Sequence, residues 1–316
     1  MRTREFAGVG PPNQIALVVL TSALAILTGC GGGDSTSPPP VPPVVWNVVA
    51  GRSWTMPAGT EGYVCVGVHV TSDGYFTGFR LASPNPAQNE VLLTVTSASG
   101  TEGPFACGAG SLDNELLYAA NQGTTPIEFP AGFGVHVSAG QYMLLNIHVV
   151  NRADTSVTDS TRIEARIGTA ADVTTPIDMS LGGTFQINIP SDGQLHTATG
   201  QCAAGNAHVL ALLPLMRSRG VHQTVTSVLG TESQTVFEQD FDLEHDSYTQ
   251  LVTPFQLPSG ALLRTVCSYV NTSGTTKAYG ESADNESCFS ALYRYPLSTG
   301  ALFSCAEGQS FDIRRE

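Results

Sequence analysis

Two stretches carry side chains that could do chemistry. One is the pair Arg217-Ser-Arg219, which abruptly ends the apolar run His208 to Met216 in a chain with only 14 Lys+Arg. The other is His148, set in the apolar run Leu144-Leu-Asn-Ile-His-Val-Val150. An imidazole in such a run should be buried, and so should His208; both ring nitrogens then need partners, which can be a metal or a carbonyl and a side chain. Two arginines at a strand end could hold a carboxylate or a phosphate through paired N–H donors, but the simpler expectation is that Arg217 pairs with a nearby carboxylate such as Glu90. A third stretch, Glu238-Gln-Asp240-Phe-Asp242-Leu-Glu244, alternates acids with apolar residues. Extended as a strand, it would place four carboxylates on one face and Phe237, Phe241 and Leu243 on the other. Four such oxygens could hold calcium, but in an acidic protein the simpler expectation is a solvated face. His69 and His136 each lie between valines and are expected on the polar side of their strands. Neither HExxH nor His-x-His occurs, and Gly-x-Ser-x-Gly, phosphate-loop and dinucleotide fingerprints are missing as well.

The elements that must position these residues are strands. Period-two alternation recurs in Tyr63 to Val70, Phe133 to Val137, Arg162 to Ile167 and Phe185 to Ile189, with Ile163, Ala165 and Ile167 on one face of the third. No long stretch has helical periodicity, so the class is all-β. A weak internal echo links SAGQYMLLNIHVVNRADTS, from Ser138, to PSGALLRTVCSYVNTSGTT, from Pro258. It places His148 against Ser268 and implies two domains of similar build. The boundaries expected are 46 to 170 and 171 to 316.

The N-terminal segment gives an address. Residues 1 to 29 carry early arginines, an apolar stretch from Ile15 to Ile26 and then Leu27-Thr-Gly-Cys30. This is the pattern of a bacterial lipoprotein signal peptide, cleaved at a lipidated Cys30. About twelve apolar residues fall short of the roughly 20 that span a bilayer. Residues 30 to 45 then form a Gly/Ser and Pro-rich tether. The expected location is the cell envelope, anchored by lipid in the outer membrane, with the membrane and an unknown small-molecule or envelope ligand as partners. Removing Arg2, Arg4 and Glu5 takes the formal charge from −13 to about −14, which argues against a nucleic-acid partner. Six cysteines remain after Cys30, namely Cys65, Cys107, Cys202, Cys267, Cys288 and Cys305. In an exported chain they read as three disulfides, with every pairing open to spacing alone.

Several blocks occur in order: Gly-Tyr63-Val-Cys65, LLYAANQG from Leu116, FPAGFGVHVSAGQYMLLNIHVVN from Phe129, HVLALLPLMRSRGVHQ from His208, RTVCSYVN from Arg264 and ESCFSALYRYP from Glu286. Together they resemble the copper type II, ascorbate-dependent monooxygenases, the family of peptidylglycine alpha-hydroxylating monooxygenase and dopamine beta-monooxygenase, and bacterial lipoprotein relatives of it. The resemblance covers roughly residues 46 to 298. It implies two tandem antiparallel β-sandwich domains of jelly-roll type with a site at their interface. It also implies the pairings Cys65 with Cys107, Cys202 with Cys305, and Cys267 with Cys288.

The same resemblance implies two coppers, one held by three histidines and one by two histidines and a methionine. Imidazole suits both copper oxidation states and thioether favours Cu(I). Position by position, an adjacent His-His falls on Asn89-Glu90, or on Leu92-Leu93 with the gap placed differently. The third ligand falls on His148. The other site's His-x-His falls on Leu215-Met216-Arg217, with Met216 pointing to the opposite face, and its methionine falls on Ser287. One of six ligands is retained, and a permanently charged guanidinium at Arg217 would repel a copper ion. The family's grip on a substrate carboxylate falls on Leu213 and Ala291, which cannot provide it. The expectation is therefore an exported lipoprotein with the monooxygenase fold that lacks dual-copper hydroxylation and acts as a binding or envelope module, with no cofactor assigned. The alternative is a copper monooxygenase or single-metal oxidoreductase around His148, where Glu90 and Asn89 would add oxygens better suited to zinc or manganese than to Cu(I).

Overall fold

The alternation seen in the sequence becomes burial in space. In the segment from Thr161 to Arg166 of the computed structural model, Thr161, Ile163 and Ala165 are buried while Arg162, Glu164 and Arg166 lie between them on the other face. The structure describes residues 44–298, apart from 98, 110–113, 204 and 246–247, together with the backbone of 303–306. The expected signal peptide, Cys30 and all but the last two residues of the tether lie outside the described residues, as does the side chain of Cys305.

The first half forms β1 (Asn47–Met56), β2 (Glu61–His69), β3 (Gly74–Ala82), β4 (Gln88–Thr96), β5 (Gly103–Phe105), β6 (Glu115–Asn121), β7 (Ile127–Glu128), β8 (Gly132–Val137), β9 (Tyr142–Val150) and β10 (Val157–Gly168). The second half forms β11 (Val173–Thr184), β12 (Asn188–Ile189), β13 (Leu195–Ala203), β14 (Ala207–Leu215), β15 (Gly220–Leu229), β16 (Glu232–Asp240), β17 (Thr249–Leu257), β18 (Leu262–Val270), β19 (Lys277–Ala278), β20 (Cys288–Tyr295) and β21 (Phe303–Ala306). Among the described residues there is no helix.

Each half is a jelly roll. In the first, β1-β10-β3-β8 faces β2-β9-β4-β6, with β5 on the edge beside β2. In the second, β11-β20-β14-β17 faces β13-β18-β15-β16. Numbered within its own half, each sandwich has the same strand order, the double Greek key in which strands alternate between two sheets. The echo between the halves maps β9 onto β18 with both ends in register. Gly140 and Gly260 take positive φ, 88° and 81°, in the turns before these strands, a conformation that a Cβ would strain. Asn151 and Asn271 follow the strands and do the same work. The side-chain amide of Asn151 donates to the carbonyls of Met56 and Thr155, and that of Asn271 to Ile189 and Thr275. Each side-chain oxygen then accepts the N–H two residues on.

The halves share structure instead of merely touching. β11 begins beside β8, in parallel, through Val173↔Gly132 to Ile177↔Val135, and continues beside β20 from Asp178↔Arg294. The two front sheets thereby fuse into a ten-stranded sheet, and one apolar core runs from Trp54 and Leu93 through Ile177 to Ala291 and Tyr293. The edge of β6 is closed by tyrosines of the second half. Tyr248 Oη donates to Ala119 O at 2.7 Å and accepts from Ala119 N at 3.2 Å, while Tyr293 Oη donates to Leu117 O at 2.8 Å. These hydroxyls occupy the place a neighbouring strand would take and give partners to the N–H and carbonyl of Ala119 and the carbonyl of Leu117.

Disulfides Cys65–Cys107 and Cys267–Cys288 are present. Cys202 is disulfide-bonded too, with its partner outside the described side chains. Four local expectations need correction. Ile167 is exposed because the pairing of β10 with β3 shifts register between Arg166 and Ile167, and the alternation changes phase so that Gly168 is buried in its place. His208 is only half-buried, stacked on Tyr295 with ring centroids 4.8 Å apart. Phe185 to Ile189 is mostly a bend, since Thr184 Oγ1 captures the N–H of Gln186, and only Asn188–Ile189 pairs. The acidic run leaves the sheet after Asp240. Asp242 lies in a turn, where it accepts from Glu244 N and contacts His245, so the four carboxylates do not share one strand face.

Candidate functional site

Three neighbouring strands set the site. Cross-strand register aligns Tyr63 of β2, His148 of β9 and Glu90 of β4 in one row. Ile147 and Val149 point into the core of the first sandwich, which turns His148 to the opposite face of the sheet. It is nevertheless 1 % exposed, because residues of the second half cover that face. The Tyr63 ring stacks on the imidazole at 4.5 Å, almost parallel. A bulge at β4 inserts Asn89 between residues paired with Val149 and His148, and Asn89 Nδ2 comes within 3.3 Å of His148 Nδ1. On the other side of the ring, Nε2 lies 3.3 Å from Glu61 Oε2 but makes no hydrogen bond. Burial, aided by the charge of Arg217, lowers the His148 pKa against the pull of Glu90 and Glu61, so the ring is neutral at pH 7.

From the second half, Arg217 follows the end of β14 and is 7 % exposed. Its Nη2 lies 3.6 Å from Glu90 Oε2, its Nη1 donates to Ser282 O, and its Nε has no partner. Met216 points the other way, as alternation requires, into a small cluster with Phe241, Cys267, Tyr269 and Cys288. Ser287 donates to Leu215 O at 2.9 Å, so these two positions are linked to each other. Glu90, His148, Arg217 and Ser287, together with Leu92, Tyr63 and Tyr279, line a cavity of about 50 Å³. Of the positions singled out from the resemblance, Glu90, Leu92, His148, Arg217 and Ser287 therefore line one cavity with Asn89 beside His148, while Leu93 and Leu215 are in the core and Met216 points away. Leu213 and Ala291 are cross-strand partners, fully buried and apolar.

Glu61, Tyr63, Tyr279 and Ser282 were not flagged as site residues from sequence. They join the halves: Glu61 accepts from Ser282 Oγ at 2.5 Å and Ala283 N at 2.8 Å, and Tyr63 Oη donates to Glu281 O at 2.6 Å. Burial works against the charge on Glu61, yet these bonds and His148 hold its carboxyl below the usual range. Knowledge of the β2–β9 pairing would have pointed to Glu61 and Tyr63, whereas Tyr279 and Ser282 reach the site only through the contact between the halves.

Beside this cavity opens a cleft of about 860 Å³, lined by Glu61, Arg152, Arg217, Arg219, Phe241 and Glu244 among others. Arg219 is engaged there, by Asp284 at 2.7 Å and by the fully buried Glu286 at 3.5 Å, whose carboxyl burial pushes up and Arg219 pulls down. With Arg217 facing Glu90, the two arginines do not present a free pair of forks to an anion.

The donor set does not fit copper. Leu215 is apolar, Ser287 is tied to a carbonyl, one imidazole is present, and the cavity also holds a guanidinium and the carboxylate that faces it. Among the described residues no three His, Cys, Asp or Glu side chains are grouped to hold a metal ion.

No family model matches the chain, and no curated protein does. Among solved structures, a mutant VP2 protein of infectious bursal disease virus in T=1 particles aligns over 80 % of this chain and 70 % of that one, at 12 % identity and a TM-score of 0.15. A structure of the Gx strain of the same virus aligns over 82 % and 74 %, at 12 % identity and 0.14. Scores this low carry no argument about this protein.

Proposed function

We propose that this chain is an exported lipoprotein relative of the copper type II, ascorbate-dependent monooxygenases in which the copper positions have become a polar seam, and that it acts as a binding or envelope module. The observation that carries the reading is the Arg217–Glu90 pair beside His148. The positions that the resemblance assigns to two different copper sites are filled by a guanidinium and a carboxylate 3.6 Å apart. That pair neutralises the space between the halves, where redox metals would need neutral imidazole and thioether ligands. The neighbouring cleft of about 860 Å³ is of the size that takes small ligands, and its rim mixes Arg152 with Glu244 around Phe241.

The test is ascorbate-driven oxygen uptake by the mature chain supplied with copper, over a broad panel of organic substrates. The proposal requires a rate no higher than that of copper and ascorbate alone. A protein-dependent rate that His148→Ala abolishes would overturn it in favour of a working monooxygenase.

A further inference from the structure

Nine large apolar side chains among the described residues are exposed, and four of them, Val44, Val45, Val48 and Ile167, belong to one end of the first sandwich. The antiparallel register Asn47↔Ala165 carries Val45 toward Ile167, so the start of β1 and the end of β10 bring them together. Trp46 lies in their midst, with the Arg80 guanidinium 4.8 Å from its ring centre. Three arginines extend from this end over the outer face of the sheet. Arg80 pairs with Glu164, Arg166 with Glu128, and Arg162 lies across Gly51, where a Cβ would come within 3.0 Å of its Cγ. In a chain whose formal charge is −13, this face carries three arginines against two glutamates. The turns at this end add Asp172, whose carboxylate is tied to Thr169, and Asp73 just before β3, which accepts from Ala139 N.

We propose that this end of the first sandwich docks on the lipid headgroups of the membrane that holds the protein. The inference rests on the reading of Cys30 as the lipidated residue. Two further considerations support it. The chain enters the fold at Val44, inside the patch, and the thirteen residues from Gly31 to Pro43 can extend at most about 45 Å at ~3.5 Å per residue, which holds the patch near the bilayer. The composition is also that of an interfacial anchor, with valine and isoleucine to enter the headgroup boundary, a tryptophan to lie at it and arginines to meet the phosphates. An apolar cluster of this kind on a protein surface marks a contact site.

The two tryptophans make the test direct, because Trp54 is 4 % exposed and donates to Thr161 Oγ1 at 2.9 Å inside the core. The mature chain is reconstituted in phosphatidylglycerol-containing vesicles that carry lipids brominated near the headgroup, and Cys30 acylation is checked by mass spectrometry. We expect loss of most of the Trp46 emission, isolated by difference from Trp46→Phe, with Trp54 unaffected. The double variant Val45→Asp/Val48→Asp should abolish the quenching and leave the chain folded, at a somewhat lower melting temperature because Val48 stands directly opposite Glu164. Unquenched Trp46 in a chain shown to be acylated would overturn the proposal, as would a dimer that buries Trp46 and is split by the same double variant. If Cys30 carries no acyl group, the anchor reading fails separately. Sedimentation of the unacylated chain with the same vesicles then decides the surface: binding lost in Val45→Asp/Val48→Asp sustains it, and no binding removes it.

Discussion

Replacing Arg217 with Met probes the seam between the halves most sharply. The substitution keeps most of the side-chain volume and removes the charge facing Glu90 at 3.6 Å and the bond to Ser282 O. Breaking a fully buried pair costs about 3–5 kcal/mol. The Glu90 side chain is still 25 % exposed, so water offsets part of that loss, and about 1–3 kcal/mol is the expectation. Glu90→Gln should cost less, since an amide can remain solvated at the rim. The decisive quantity is the coupling in the cycle Arg217→Met, Glu90→Gln and both, read from urea unfolding at pH 7. We expect the double variant to be more stable than the sum of the singles by about 1 kcal/mol or more, within the range for residues in one network. Additivity to within about 0.3–0.5 kcal/mol would show that the two charges do not depend on each other, and the reasoning about the seam would fall.

Three other outcomes follow from the same geometry. Tyr248→Phe removes the hydroxyl that both donates to and accepts from Ala119, so it should cost about 1–3 kcal/mol in urea unfolding; a neutral result would mean water takes over that edge. Asn151→Ala orphans the carbonyls of Met56, Pro57 and Thr155, and Asn271→Ala those of Ile189 and Thr275 at the equivalent turn, so both should lose stability in urea unfolding and their losses should agree to within about 1 kcal/mol. His148 has a lowered pKa in the fold, so below the ordinary value of 6.5 the unfolded chain binds the extra proton and stability must fall as pH falls. Melting temperature should therefore drop between pH 7.5 and 5.5, and drop less in His148→Gln. An identical slope in both would remove His148 as the cause. Glu61 adds a loss of the same sign at lower pH, below its ordinary 4.5, while Glu286, whose pKa is raised, acts in the opposite direction.

What the sequence made legible was mainly local or repeated. Alternation exposed the strands, and the apolar neighbours of His148 foretold its burial. The two Val-Asn turns, 120 positions apart, revealed the duplication. What escaped depends on pairing between distant segments. The parallel contact of β11 with β8 fuses the sheets and has no signature in either strand. The bulge that inserts Asn89 exists only against β9. Ile167 continues the alternation in sequence and is still exposed, because the register shift against β3 between Arg166 and Ile167 breaks that alternation in space. The acidic run was misjudged for a related reason: Asp242 competes with the ladder by capturing the backbone N–H of Glu244, as Asp side chains do at turns.

A guanidinium and a carboxylate occupy the space where the resemblance would put copper ligands. This is tested most directly by metal content. The mature chain is incubated with Cu(II), Cu(I), Zn(II) and Mn(II), desalted, and analysed by mass spectrometry beside His148→Ala. No stoichiometric metal is expected in either protein. Two equivalents of copper in the wild-type chain, reduced in His148→Ala, would contradict it.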